Sequence, residues 1–115
     1  MRTNFSNAAL LSEPTFVLHA EAARDIEEIW EFIASDSVLA ASRVRKEILQ
    51  AIREISQFPQ LGHCRLDLSS QPLRFHVVRN YLIAYAPEEK PLLVVAVVDG
   101  RRNPRVIAAM LRSRE

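Results

Sequence analysis

An uninterrupted apolar run near the C-terminus, LLVVAVV at residues 92–98, constrains the fold more than any other feature of this sequence. The run is too short to cross a membrane, which takes about 20 apolar residues in a helix. A strand that is apolar on both faces must be covered on both faces, which is typical of a central strand. We therefore expect a sheet with this segment in its interior.

Two amphipathic helices are predicted ahead of this strand. In residues 22–34, apolar side chains recur every three to four residues and glutamates occupy the opposite face. A second apolar stripe follows over residues 41–55 and ends before Pro59, which cannot continue a helix. Ser37 is the expected N-cap of the second helix. The short link between the helices predicts that they pack as an antiparallel hairpin.

The remaining apolar residues alternate with a period of two, as in strands. Residues 15–20 have the β-branched and aromatic composition of a short strand. In residues 73–78, LRFHVV, the alternation places Arg74 and His76 on the face opposite Phe75. This pattern predicts a strand with one apolar face and one face that carries polar side chains.

A hairpin turn and a final helix complete the predicted order of elements. Asn80 can adopt the left-handed turn conformation that leads into a returning strand, YLIAY. Pro104 is placed to begin the last helix, because proline is tolerated at the first helical position. The expected order is β-α-α-β-β-β-α. This is a two-layer α+β domain with the helical hairpin on a mainly antiparallel sheet and a short C-terminal helix at its other side or edge.

The expected domain organisation is a short leader followed by one domain. Residues 1–14 mix Asn, Ser and small residues before a proline, and we interpret them as a leader that is disordered or covers a neighbouring surface. Residues 15–115 form the single domain. Cys64 is the only cysteine and no export signal is visible, so a reducing cytoplasm is the expected location.

The charged residues are divided unevenly along the chain. The net charge is +1, but residues 1–57 carry six Lys/Arg against nine Asp/Glu, whereas residues 58–115 carry nine against five. Nearly all the basic residues of the second half are arginines, whose planar guanidinium groups suit carboxylates and phosphates. An acidic protein surface or a nucleic acid is therefore an expected partner.

Cofactor sites are not indicated by the sequence. His63 and Cys64 are adjacent but lack the paired spacing of a zinc site. The two glycines of the chain, Gly62 and Gly100, are too few for a phosphate-binding loop. We therefore expect no metal and no cofactor.

Four segments of this sequence, in this order and at this spacing, resemble the ParE/RelE toxins of bacterial type II toxin–antitoxin systems: AARDIEEIWEFIA, AASRVRKEILQAIREISQFPQLG, LRFHVVRNYLIAY and VVAVVDGRR. The resemblance spans about 85 residues from residue 22 onward. It implies a toxin that forms a hetero-oligomer with an antitoxin encoded beside it. One branch of the family cleaves mRNA on the ribosome, and the other poisons DNA gyrase without known chemistry of its own.

The last helix favours the ParE branch. RNA cleavage requires an acid and a base, and the ribonuclease branch carries a tyrosine or histidine in or near its C-terminal element. Here the C-terminal segment RVIAAMLRSRE has no tyrosine, histidine or lysine. The resemblance therefore implies a noncatalytic gyrase inhibitor. In the alternative, an mRNA endonuclease, Arg74, His76 and Arg102 are the candidate catalytic residues. A third alternative is a nontoxic module that only binds an antitoxin.

Partner binding is assigned to arginines near the C-terminus and to one aromatic residue. Arg101, Arg102, Arg105 and Arg112 are expected to contact carboxylates of the antitoxin or of the target. Trp30, at the edge of the first apolar stripe, belongs either to the core or to an anchor for the antitoxin. No recognition-helix pattern is present, so direct sequence-specific DNA binding is not expected.

Overall fold

The helices and strands follow one another in the order that the sequence predicts. The structure, a computed structural model, describes residues 15–114, and the proposed leader at residues 1–14 lies outside the described residues. The elements are β1 (Phe16–Leu18), α1 (Ala20–Ala34), α2 (Val38–Gln57), β2 (Arg74–Val78), β3 (Tyr81–Ala86), β4 (Leu92–Asp99) and α3 (Pro104–Arg112).

Both helices of the hairpin begin where a side chain accepts a main-chain hydrogen bond. The ring nitrogen Nδ1 of His19 accepts from the N–H of Glu21 at 3.0 Å. This cap starts α1 two residues before the predicted start and ends β1 at Leu18. The hydroxyl of Ser37 accepts from the N–H of Ala40 at 3.0 Å, which confirms Ser37 as the N-cap of α2.

The strands form one mixed sheet in the order β1-β4-β3-β2. The chain-consecutive pairs β2/β3 and β3/β4 are antiparallel, and β1 pairs with β4 in parallel. The long apolar strand β4 is therefore internal, as predicted. Strand β1 pairs only with residues 92–94 of β4, so the described chain places no strand beside the rest of that edge.

A β-bulge in β4 changes which side chains face each side of the sheet. Tyr85 pairs with Val94, but its neighbour Ala84 pairs with Ala96, so Val95 is the extra residue. As a result Val95 and Ala96, although adjacent in the chain, pack into the same cluster.

The two faces of the sheet are covered by different helices. On one face, the α2 residues Ile48, Ile52 and Ile55 pack with Val94 and Val97 of β4. On the other face, α3 and a loop residue cover a second cluster that includes Ile107, Leu111, Leu68, Phe75 and Leu82. The hairpin thus lies on one side of the sheet and the C-terminal helix on the other, which agrees with the expected architecture.

The prediction of a left-handed residue in the β2–β3 turn was wrong in position. Arg79, not Asn80, has the positive φ, at 56°. Two contacts hold the turn this way: Arg79 donates to the carboxylate of Glu47 at 2.6 and 2.9 Å, and the carbonyl of Asn80 accepts from the N–H of Gly100 at 2.7 Å. These tertiary contacts decide which residue takes the uncommon conformation.

Candidate functional site

A cleft of about 440 Å³ lies where β4 extends beyond the end of β1, between α1 and α3. One wall is a single stripe of α1, formed by Asp25, Glu28, Ile29 and Phe32 at helical spacing. The opposite wall and the floor come from the ends of β3 and β4 and from the C-terminal segment: Tyr81, Val97, Val98, Asp99, Arg101, Arg102, Met110 and Arg114.

A buried ion pair closes the inner end of this cleft. The guanidinium of Arg114 contacts both carboxylate oxygens of Asp25, at 2.7 and 2.9 Å, and the two side chains are 8% and 12% exposed. Asp25 also accepts from the N–H of Val97 at 2.9 Å, and Arg114 donates to the carbonyl of Val95 at 3.1 Å. The hydrogen bonds that Arg114 donates to Asp25 raise the pKa of Arg114 above its ordinary value.

Arg114 does not continue the last helix beside Arg112. Instead α3 ends at Arg112, and Arg114 leaves the helix to reach Asp25. Together the two side chains bond main-chain groups of β4 on the side where β1 is no longer present.

A second ion pair lies at the outer end of the cleft. The carboxylate of Asp99 accepts from the side chain of Arg101 at 3.1 and 2.9 Å and from its N–H at 2.9 Å. These hydrogen bonds lower the pKa of Asp99 to about 2, and the nearby charge of Arg102 contributes less. The charge of Arg101 is therefore compensated within the protein.

Two charged side chains in the cleft form no ion pair among the described residues. Arg102 forms no ion pair with any carboxylate of residues 15–114, and neither does Glu28 with any base in that range. They lie on opposite walls of the cleft: Arg102 follows β4, and Glu28 belongs to α1. Phe32, on the same α1 stripe as Glu28, is 79% exposed.

The remaining arginines predicted as partner-binding lie along the exposed side of α3. Arg105 and Arg112 are seven residues apart, which is two helical turns and about 10.5 Å along the axis. Burial of Ile107 and Leu111 against the sheet fixes this orientation. Among residues 15–114, neither Arg105 nor Arg112 has an acidic partner. We call Arg102, Arg105 and Arg112 the arginine surface.

The start of α3 follows the sequence prediction. Pro104 occupies the first turn, and the side-chain oxygen of Asn103 accepts from the N–H of Arg105 at 2.8 Å. Near the other end of the helix, Arg112 borders a separate recess of about 310 Å³ beside the loop of residues 66–70. The arginine surface thus runs from the cleft at one end to this recess at the other.

Trp30 is placed apart from these arginines. The guanidinium of Arg45, on α2, lies over the indole ring at 5.1 Å from its centroid. The indole nitrogen is buried without a hydrogen-bond partner among the described residues. Trp30 therefore lies at the junction of the two hairpin helices, and it does not line the cleft.

The candidate nuclease residues are not brought into one cluster. Arg74 donates to the carbonyls of Gly62 and Gln60 at 2.9 and 3.3 Å, so its side chain holds the loop before β2. His76 is half-buried on the same face of β2. Arg74 pairs with Tyr85, which is four positions along β3 from Tyr81, the partner of Asp99, so Arg74 lies about 13 Å along the sheet from the end of β4 that precedes Arg102.

Tyr81 is a cleft residue for which the sequence predicts only a packing role in a strand. It begins β3, pairs with Asp99 and lines the cleft with Arg101 and Arg102. The register of the predicted hairpin was the available signal, because it places the start of β3 beside the end of β4.

Tyr85, by contrast, has a structural position. Its side chain is fully buried, and its hydroxyl donates to the carbonyl of Pro59 at 2.7 Å and accepts from the N–H of Gly62 at 2.8 Å. Burial raises the pKa of Tyr85 above its ordinary value. These bonds hold the loop after α2 against the sheet.

In residues 15–114 no three His, Cys, Asp or Glu side chains are grouped so that they could bind a metal ion. Within the same residues, no helix is long and apolar enough to span a membrane.

A helical hairpin on one face of a four-stranded mixed sheet, with a short helix on the other, defines a small α+β protein. The family model described as ParE toxin of type II toxin-antitoxin system, parDE, matches residues 16–104. The chain therefore belongs to the ParE toxin family and is the toxin of a type II system, in which an antitoxin is the partner. A comparison with curated proteins gives no match.

Proposed function

We propose that this toxin inhibits DNA gyrase by binding it through the arginine surface, and that its cognate antitoxin neutralises it. The observation that carries the proposal is the uncompensated charge of that surface. Arg102, Arg105 and Arg112 are exposed and have no acidic partner in residues 15–114. Arginines of this kind can form bidentate contacts with carboxylates or phosphates of a macromolecular target.

The frame behind these arginines supports a binding function. The buried residues Ile107 and Leu111 hold α3 on the sheet, and the Asp25–Arg114 pair ties the following residues to α1. A rigid frame lets the guanidinium groups meet a partner without a large loss of conformational freedom. The proposal keeps the cytoplasm as the place of action, because gyrase and its DNA are there.

One observation favours the endonuclease alternative. Tyr81 and Glu28 line the same cleft as Arg101 and Arg102, so a phenol, a carboxylate and two guanidinium groups share one site. In that alternative, Glu28 would accept the proton of a ribose 2′-hydroxyl and Tyr81 would protonate the leaving oxygen, while Arg102 would stabilise the phosphorane. We rank the endonuclease second for two reasons. Arg101 is already paired with Asp99, and the exposed apolar side chain of Phe32 borders the same cleft, where a ribose and its phosphate would have to bind.

A supercoiling assay with purified gyrase separates the two functions. Added toxin is expected to inhibit supercoiling, and added antitoxin is expected to restore it. Primer extension on translated mRNA is the parallel measurement. Normal supercoiling together with codon-positioned cuts that disappear in Glu28→Gln and Tyr81→Phe would reject gyrase binding and establish the endonuclease.

A further inference from the structure

We infer that the cleft between α1 and α3 anchors the antitoxin, and that the anchored antitoxin prevents Arg102 from contacting the target. The occupant is a polypeptide segment with a large apolar side chain next to a carboxylate. The antitoxin partner follows from the family, whereas the consequence for the target rests on the proposed function.

The apolar part begins with Phe32. This apolar side chain is 79% exposed, and it lies beside the charged residues Glu28 and Glu31 on the solvent-facing part of α1. It borders the cleft together with Ile29 and Met110, which are partly covered. Aromatic side chains at the edge of a recess are frequent centres of binding energy in protein interfaces. The volume of about 440 Å³ is in the usual range for ligand clefts and has room for a large apolar side chain.

The charges select the kind of partner. Arg114 and Arg101 are paired with Asp25 and Asp99, which leaves Arg102 as the one base without an ion-pair partner among the described residues that line the cleft. A carboxylate from a partner is therefore its natural counterion. A nucleic acid fits this cleft less well, because it carries a phosphate at every nucleotide, so further phosphates would approach Glu28, and its sugars would meet an exposed phenyl ring. An amphipathic polypeptide that places a single carboxylate at Arg102 satisfies both the apolar and the basic part of the site.

The consequence follows from the position of Arg102. It belongs both to the cleft and to the arginine surface, at the end where the two meet. A carboxylate bound to Arg102 would occupy one of the three guanidinium groups proposed for the target, and the segment carrying it would cover the entrance to that surface. Antitoxin and target would then compete for the same residue, so neutralisation would not need a change in the fold of the toxin.

Titration calorimetry with the full-length toxin tests the anchor. The probe is the purified antitoxin expressed from the gene next to the toxin gene. Phe32→Ala and Arg102→Ala are each expected to weaken binding by at least about tenfold. Phe58→Ala is the control for Phe32, because its side chain is 63% exposed but lies at the end of α2 and does not line the cleft. Arg53→Ala, on the exposed side of α2, is the control for Arg102. Both controls should change the affinity by less than about twofold.

The outcomes separate this inference from the proposed function. Unchanged affinity in both Phe32→Ala and Arg102→Ala would overturn the anchor, whether or not the toxin inhibits gyrase. The competition is tested by adding gyrase to the immobilised toxin–antitoxin complex, where no binding is expected and a stable ternary complex would overturn it. If the affinities fall as expected while the unchanged toxin leaves supercoiling intact, the anchor stands and the gyrase proposal fails.

Discussion

The carboxylate of Asp25 and the guanidinium of Arg114 form a buried, bidentate ion pair between residues that are 89 positions apart in the chain. Through it, the segment after α3 is joined to α1 and to the open edge of β4. Asp25 accepts a hydrogen bond from the N–H of Val97, and Arg114 donates one to the carbonyl of Val95. A longer β1 would otherwise pair with these main-chain groups of β4. The ion pair is thus a substitute for strand pairing at this edge.

Removing Asp25 is expected to destabilise the fold strongly. Asp25→Ala would leave the guanidinium of Arg114 buried without its counterion, which costs about 3–5 kcal/mol in the free energy of unfolding. Urea denaturation of the wild type, both single variants and Asp25→Ala/Arg114→Ala measures this effect as a double-mutant cycle. The double variant should lose less stability than the sum of the single variants. Additive losses would contradict a direct interaction between the two residues.

The hydroxyl of Tyr85 is expected to matter for stability, whereas that of Tyr81 is not. Tyr85→Phe would remove the partner of both the Pro59 carbonyl and the Gly62 N–H, at a cost of about 1–3 kcal/mol in unfolding free energy. Tyr81→Phe is the matched control, because Tyr81 borders an open cleft. Thermal denaturation of the two variants compares them. Equal stability of both variants would show that the hydroxyl of Tyr85 does not hold the loop.

The two glycines differ in how much space surrounds them. A Cβ at Gly62 would lie 2.7 Å from both the carbonyl oxygen of Phe75 and the hydroxyl of Tyr85, so Gly62→Ala is expected to cost about 1–3 kcal/mol. At Gly100 the nearest atom, in the side chain of Leu82, is 3.0 Å away and can shift. Neither glycine has a positive φ, so the difference is steric. Chemical denaturation should show the larger loss for Gly62→Ala, and the reverse order would contradict this account.

The acid side of the stability profile should depend on Asp99. Because Arg101 lowers the pKa of Asp99 from 3.8 to about 2 in the folded protein, its contribution to stability is fully present above pH 3.8 and is lost as the pH falls through about 2. Carbon-13 NMR of the carboxyl group between pH 5 and 2 measures the pKa. Arg101→Gln should raise it toward 3.8, and Arg102→Gln should raise it less. The opposite ranking would mean that Arg101 is not its main partner.

The architecture was predictable because its elements are encoded locally. The stripe of α2 and the run that forms β4 bury side chains at fixed periods, and Ser37 caps α2 through a bond within its own turn. The bulge at Val95 was not predictable, because five of the seven residues in the run are Val or Ala and either phase of alternation buries apolar atoms. The positive φ of Arg79 depends on Glu47, which is 32 residues away.

The candidate site was only partly predictable for the same reason. The exposure of Arg102, Arg105 and Arg112 follows from their positions in a turn and on the polar side of a short amphipathic helix. The cleft itself depends on three separated segments that meet beyond the end of β1. In sequence, Asp25 looks like one more acid on the charged side of α1, and nothing near it indicates that Arg114 is its partner.

The central claim is that toxicity depends on binding through the arginine surface. Its most direct test is inhibition of gyrase supercoiling by the triple variant Arg102→Ala/Arg105→Ala/Arg112→Ala. The control is Arg24→Ala/Arg43→Ala/Arg53→Ala, which removes the same charge from exposed positions on α1 and α2. The account predicts that half-inhibition requires at least about tenfold more of the first variant than of wild-type toxin, and that the control matches the wild type. Equal inhibition by both variants and the wild type would contradict it.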